Sequence, residues 1–186
     1  MDNVLLEIDK LVTITKSEPV NLKVLNGEII CIFGLNGSGK SVLLKTILGI
    51  MEKKQGSINF FIDKKEYGVC LQFPEHLIFK ETAFDEAMLI CDNNELMAEN
   101  LLNEINALKD MSPFYLSDGQ KRLLFIYGYL EMKKLIFLDE PFVSLDEVSK
   151  EKVAEKIINA KKHGKSIIYT ANRENDKKIA DKIITI

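Results

Sequence analysis

Eight residues, Gly34-Leu35-Asn36-Gly37-Ser38-Gly39-Lys40-Ser41, carry the most specific chemistry in the chain. Glycines at this spacing let the backbone curl until successive N–H groups point at phosphate oxygens, at the positive end of a following helix. Lys40 is then placed to reach the β- and γ-phosphates of a nucleotide, and the Ser41 hydroxyl to ligate Mg²⁺. The stretch fits G-x-x-x-x-G-K-[ST], a motif that requires a strand before it and a helix after it. Both are legible: Glu28 to Phe33 reads as a buried strand, and Val42, Leu43, Leu44, Ile47 and Leu48 recur at helical spacing. Val42 closes the stretch expected to touch nucleotide. A plain glycine-rich turn is the competing reading. With glycine at about 7% of residues, a chance match in this length is about a one-in-a-hundred event.

Leu135 to Leu138 is a fully apolar run that ends in two acids, Asp139 and Glu140. A buried strand stopping there sets Asp139 beside the phosphate loop, where it can hold the Mg²⁺ shell. Glu140 is then placed to orient or polarise an attacking water. Many buried strands end in a surface acid, so the pattern is weak alone. Roughly a hundred residues beyond a phosphate loop, it points to a P-loop NTPase.

Three further stretches decide the class. Leu116-Ser117-Asp118-Gly119-Gln120-Lys121-Arg122 resembles the LSGGQ signature of ABC (ATP-binding cassette) ATPases and lies just before the acidic strand. Ser144-Leu145-Asp146 resembles that family's D-loop, and Gln72 its Q-loop glutamine. Ser117 or Asp118 also reads as an N-cap, a compatible role, since a helix N-terminus is what an anion binder uses. The resemblance implies a head-to-tail dimer with a second ABC ATPase domain, a copy or a different chain. Each ATP would lie between one phosphate loop and the other subunit's signature helix. Ser117, Asp118, Gly119 and Gln120 would act in trans and Glu140 in cis. Gln72 would sense the γ-phosphate and join Ser41 and Asp139 at the Mg²⁺.

The run Gln72 to Phe79, with Glu81-Thr82-Ala83-Phe84-Asp85-Glu86 after it, is similar to the ATPase subunits of energy-coupling factor (ECF) vitamin and cobalt or nickel importers. Leu77 stands where that family has a second glutamine. The resemblance implies ATP hydrolysis coupled to an integral-membrane transport subunit that meets the chain at Gln72 to Phe79. The plainer reading is a turn anchored by Pro74, with Phe73 and Phe79 in the core.

The chain departs from the family at several points. Ala171 and Asn172 stand where the switch histidine belongs, and neither His76 nor His163 can substitute; both read as surface residues. Loss of that imidazole is expected to slow hydrolysis. The aromatic that stacks on adenine, expected near Thr15, is missing. Asp118 replaces a signature glycine and puts a carboxylate near the other subunit's γ-phosphate, where like charges repel. The segment between Lys40 and Gln72 is short, and relatives continue past the last strand. A reduced, weakly hydrolytic subunit paired with a more active homologue is therefore the alternative to a fully active transport ATPase.

The elements that must position these residues alternate. Val4 to Ile8, Leu11 to Thr15, Ser57 to Ile62 and Tyr67 to Leu71 read as strands, with a turn at Gly27 and a helix stop at Gly49. From Thr82 to about Leu108 the pattern is helical, broken near Asp92-Asn93-Asn94, and a further helix runs from Gly119 to about Met132. Beyond the acidic strand come a helix from Glu147 to about Lys162 capped by Gly164, the strand Ser166 to Tyr169, a last helix, and the strand Lys182 to Ile186. The fold class is α/β, a P-loop NTPase with a mostly parallel sheet and N-terminal antiparallel strands. One domain spans 1–186, with a helical subdomain at about 82–132 inserted in a core of 1–81 plus 133–186.

Composition sets the remaining bounds. An apolar fraction of 46% in 186 residues supports a substantial core, and a net charge of -3 offers nucleic acid no electrostatic attraction. Basic charge is nearly all lysine; the only arginines are Arg122 and Arg173. Cys31, Cys70 and Cys91 form no CxxC pair and read as buried free thiols. No signal peptide and no apolar run near 20 residues is visible, which predicts a cytoplasmic protein, peripheral on the inner face of the cell membrane.

Overall fold

The computed structural model of the chain describes residues 3–186. Its strands are β1 (Val4–Val12), β2 (Val20–Leu25), β3 (Ile29–Phe33), β4 (Gln55–Phe60), β5 (Tyr67–Cys70), β6 (Leu135–Leu138), β7 (Ser166–Ala171) and β8 (Lys182–Thr185). Its α-helices are α1 (Lys40–Ile47), α2 (Ala83–Ile90), α3 (Glu95–Glu104), α4 (Asp118–Met132) and α5 (Glu147–Lys162). β2, β1 and β4 form an antiparallel sheet, and a five-stranded sheet has the order β5-β6-β7-β3-β8 with every pairing parallel.

Strands β3, β6 and β7 are apolar on both faces because each face has its own core. Ile30, Ile32, Leu135, Phe137 and Ile168 pack with α1 and the antiparallel sheet. Ile29, Cys31, Ile136, Leu138, Ile167 and Tyr169 pack with α4, α5 and the α2–α3 pair. Each such Ile, Leu or Phe contributes about 1.5–3 kcal/mol by leaving water. Gly128 in α4 faces Ile90 and Leu101, and a methyl group there would overlap the Ile90 side chain. Glycine is required at this point for α4 to lie against α2 and α3.

The three cysteines are free and buried, as expected. Burial pushes the Cys31 thiol up to about 11 and the Cys70 thiol up to about 12.

Three expectations need correction, and one strand is additional. Residues 3–15 hold one strand rather than two, its register shifted between Ile8 and Leu11 where Lys10 takes φ 47°. β2 is the additional strand, and it alternates buried and exposed positions from Val20 to Val24. The expected last helix is only a 3-10 turn at Glu174–Lys177, too short for a helical apolar face. Phe73 and Phe79 are 54% and 75% exposed, and it is Pro74 and Ile78 of that turn that are buried.

The parallel order has a direct consequence for chemistry. Gln72, Glu140, Asn172 and the phosphate loop follow the C-terminal ends of β5, β6, β7 and β3, four neighbouring strands. Open α/β sheets bind ligands in the crevice at that edge.

Candidate active site

The phosphate loop leaves β3 at Gly34 and enters α1 at Lys40. Gly39, the residue before the helix, has φ 98°, and a Cβ there would sit 2.8 Å from the Thr15 hydroxyl. The first turn of α1 carries no acidic residue and no side-chain cap, so its N–H groups and positive end face the cleft. That cleft holds about 430 Å³ and is lined by Thr15, Asn36, Gly37, Gly39, Lys40, Ser41, Val42, Gln72 and Glu140.

Lys40 is buried, and its Nζ donates to the carbonyls of Gly34 and Leu35, both at 2.9 Å. Glu140 Oε1 lies 3.8 Å from the same ammonium. Asp139 is also buried. Its Oδ1 accepts from Ser41 Oγ at 2.9 Å and from Thr170 Oγ1 at 2.7 Å, while Oδ2 has no partner. A buried carboxylate oxygen without a donor is costly unless a cation or water meets it. Glu140 adopts φ 51°, unusual for a residue with a side chain, and its N–H donates to Thr170 Oγ1 at 2.8 Å.

The positions after β7 divide in two. Ala171 is buried in the core cluster that holds Phe142 and Tyr169, and its carbonyl accepts from the Gly34 N–H at 3.2 Å. Asn172 instead reaches the phosphate loop, its Nδ2 donating to Asn36 Oδ1 at 2.6 Å. His76 and His163 are both exposed, as expected for surface residues.

None of Ser117, Asp118, Gly119 or Gln120 lines this cleft. Ser117 caps α4, its Oγ accepting from the Gln120 N–H at 3.2 Å while Gln120 Oε1 accepts from the Ser117 N–H at 3.0 Å. Gln120 Nε2 also donates to the carbonyls of Ile105 and Asn106, at 3.1 and 3.0 Å, so this side chain is engaged within its own chain. Asp118 is exposed and lies 3.8 Å from Lys121. Gly119 faces Leu145 and the Ser144 carbonyl, which brings the D-loop-like stretch against the signature turn. Ser144 has φ 65°, and Asp146 caps α5 by accepting from the Ser149 N–H at 2.7 Å. That bond holds the Asp146 carboxyl below its usual value.

Sequence reasoning missed Thr170 and Arg122. Thr170 offered no motif of its own. Arg122 was visible as one of two arginines in a lysine-rich chain, but nothing in its spacing announced where it points.

A family model described as ABC transporter matches residues 17–143. The chain is 33% identical over 192 residues to the energy-coupling factor transporter ATP-binding protein EcfA2 of Caldanaerobacter subterraneus subsp. tengcongensis, covering 90% of this chain and 67% of that protein. A solved ATP-binding subunit of an ABC transporter superposes with a TM-score of 0.83 at 24% identity, covering 98% of this chain and 85% of that one. The cbiO1 structure from Clostridium perfringens, part of the ABC transporter complex cbiONQ, gives 0.77 at 25% identity, covering 99% and 85%. A glycine loop under a lysine, two acids at the same edge of the sheet and a match over most of the length have one account: the chain belongs to the ABC transporter family, as an ATP-binding subunit that hydrolyses ATP.

Proposed function

We propose that this chain is the ATPase subunit of an ECF-type importer, turning ATP-driven closure against a second ABC ATPase domain into movement of a membrane subunit. The observation that carries the catalytic part is the arrangement at Asp139. Its Oδ1 is held by Ser41 and Thr170, and its Oδ2 is buried with no partner beside the cleft. This donor set fits a divalent cation, so Ser41, Asp139 and Gln72 would hold Mg²⁺. When bound, the ion supplies charge neutralisation to the transferring phosphoryl group.

The chain's own side chains do the rest. Lys40 exchanges its two loop carbonyls for phosphate oxygens, and the loop N–H groups at the start of α1 bind the remaining phosphate charge. Residues Gly34 to Val42 form the cradle. Glu140, held in its turn by Thr170, accepts a hydrogen bond from the attacking water and aligns it. Ser117, Asp118, Gly119 and Gln120 face the other subunit's nucleotide, with Ser144, Leu145 and Asp146 beside them. The helical segment at about 82–132 acts as a subdomain set into a core of 1–81 and 133–186.

Support for a membrane partner comes from the segment after Gln72. Phe73 and Phe79 are exposed, and Phe79 lines a groove of about 330 Å³ together with Leu77 and Leu89. The EcfA2 relative is by name part of a transporter. Among the described residues no helix is long and apolar enough to cross a membrane, so attachment to the inner face of the cell membrane would run through that partner. The competing idea of a reduced, weakly hydrolytic subunit has no support in the comparisons.

The test is co-expression with the membrane proteins encoded next to this chain. A purified complex whose ATP turnover depends on Glu140 supports the proposal. A chain that hydrolyses ATP but recovers no membrane protein overturns the transport role.

A further inference from the structure

Arg122 is 4% exposed and sits two residues beyond the capping Gln120 in α4. Its guanidinium spans two loops at once. Nη1 donates to the Glu140 carbonyl at 2.9 Å and lies 3.3 Å from the Asp139 carbonyl; Nη2 donates to the Gln72 carbonyl at 2.8 Å. All three acceptors are main-chain oxygens of residues in the proposed site. Nε has no partner.

A buried charge is costly, and an apolar side chain of similar size is often the more stable choice at such a place. Keeping a guanidinium here makes physical sense where its rigid planar fork is needed. That fork fixes two loops in one plane, which the single point donor of a lysine cannot do.

We propose that Arg122 is a positioning residue for hydrolysis. It ties the start of α4 to the main chain of Gln72 and Glu140, so that the turn carrying Ser117 and Gly119, the water-aligning carboxylate and Gln72 move together. Engagement of the signature turn by another subunit is thereby transmitted to this chain's own Glu140. The inference rests on the reading that Glu140 and Gln72 serve the reaction.

The experiment compares Arg122→Lys, Arg122→Met and, in parallel, Glu140→Gln in the full chain with ATP and Mg²⁺. Nucleotide affinity, Tm and turnover per folded molecule are measured for each. Misplacement by about 1 Å costs about 10²-fold, so both Arg122 variants should lose about 10- to 100-fold in kcat while ATP affinity stays within about threefold. Arg122→Lys should fall nearly as far as Arg122→Met, because charge without the fork does not bridge the loops. Turnover near wild type in either folded variant overturns the inference. So does a fall in affinity that accounts for the whole loss, or failure of both variants to fold, which assigns Arg122 to stability alone. If Glu140→Gln keeps full turnover, the reading of Glu140 fails instead, whatever the Arg122 variants do.

Discussion

Thr170 hydrogen-bonds Asp139 and Glu140 together: its Oγ1 donates to Asp139 Oδ1 at 2.7 Å and accepts from the Glu140 N–H at 2.8 Å. One hydroxyl on β7 thus sets the orientation of both acids at the end of β6. Thr170→Val keeps the shape and leaves the Glu140 N–H unpaired, at about 1–3 kcal/mol of stability. Turnover should fall by about tenfold or more through misplacement of Glu140. Urea unfolding and steady-state ATPase rates check the two effects separately.

Glu140→Gln keeps the size of the side chain and loses its basicity. Turnover should drop by about 10²–10⁴-fold while ATP still binds. Titration with ATP alongside a turnover assay decides this, and a drop below tenfold would remove Glu140 from the water-aligning role.

Lys40→Ala should cost about 2–5 kcal/mol of ATP binding, the usual range for losing one partner of a buried charged contact. The fold should survive, because the carbonyls of Gly34 and Leu35 border a cleft that water can enter. Calorimetric titration and circular dichroism are the measurements; unchanged affinity would exclude Lys40 from phosphate binding.

Ala171 is packed in the core and only Asn172 touches the phosphate loop. Ala171→His should therefore destabilise the chain by about 1–3 kcal/mol through overpacking and give no gain in turnover. Asn172→Ala should lower turnover by loosening Asn36. A rise in rate for Ala171→His would show instead that position 171 is an unfilled switch site.

Asp146 gives a pH-dependent term. Its carboxyl is held below the usual carboxylate range by the Ser149 N–H, so its contribution is fully present above that range and is lost as pH falls through the lower folded value. Asp146→Asn still caps α5 but lacks the charge change. Its urea midpoint should decline less steeply than that of wild type as pH falls below the usual carboxylate range. Parallel curves would remove Asp146 from acid unfolding.

Much of this site was legible in the residues. The loop from Gly34 to Ser41 and the acids after Leu138 were readable because phosphate and cation chemistry constrain residue type and spacing together. β6 and α5 were readable because one is apolar throughout and the other begins at a capping Asp146 and ends before Gly164. The last helix was misread because the segment after Arg173 is short and polar, and a 3-10 turn satisfies its few backbone groups. β2 went unassigned although it alternates, since a six-residue strand carries little signal beside a motif. Thr170 and Arg122 lay beyond sequence reasoning for a different reason: their partners are far along the chain, and both act on main-chain atoms, which have no sequence identity.

Gly128 has a bearing on how this chain tolerates mutation. It sits on the same helix as Arg122, and any side chain there must push α4 away from Ile90 and Leu101. A library screened for growth that depends on turnover should therefore show two separate intolerant zones, one at the nucleotide and one buried between helices.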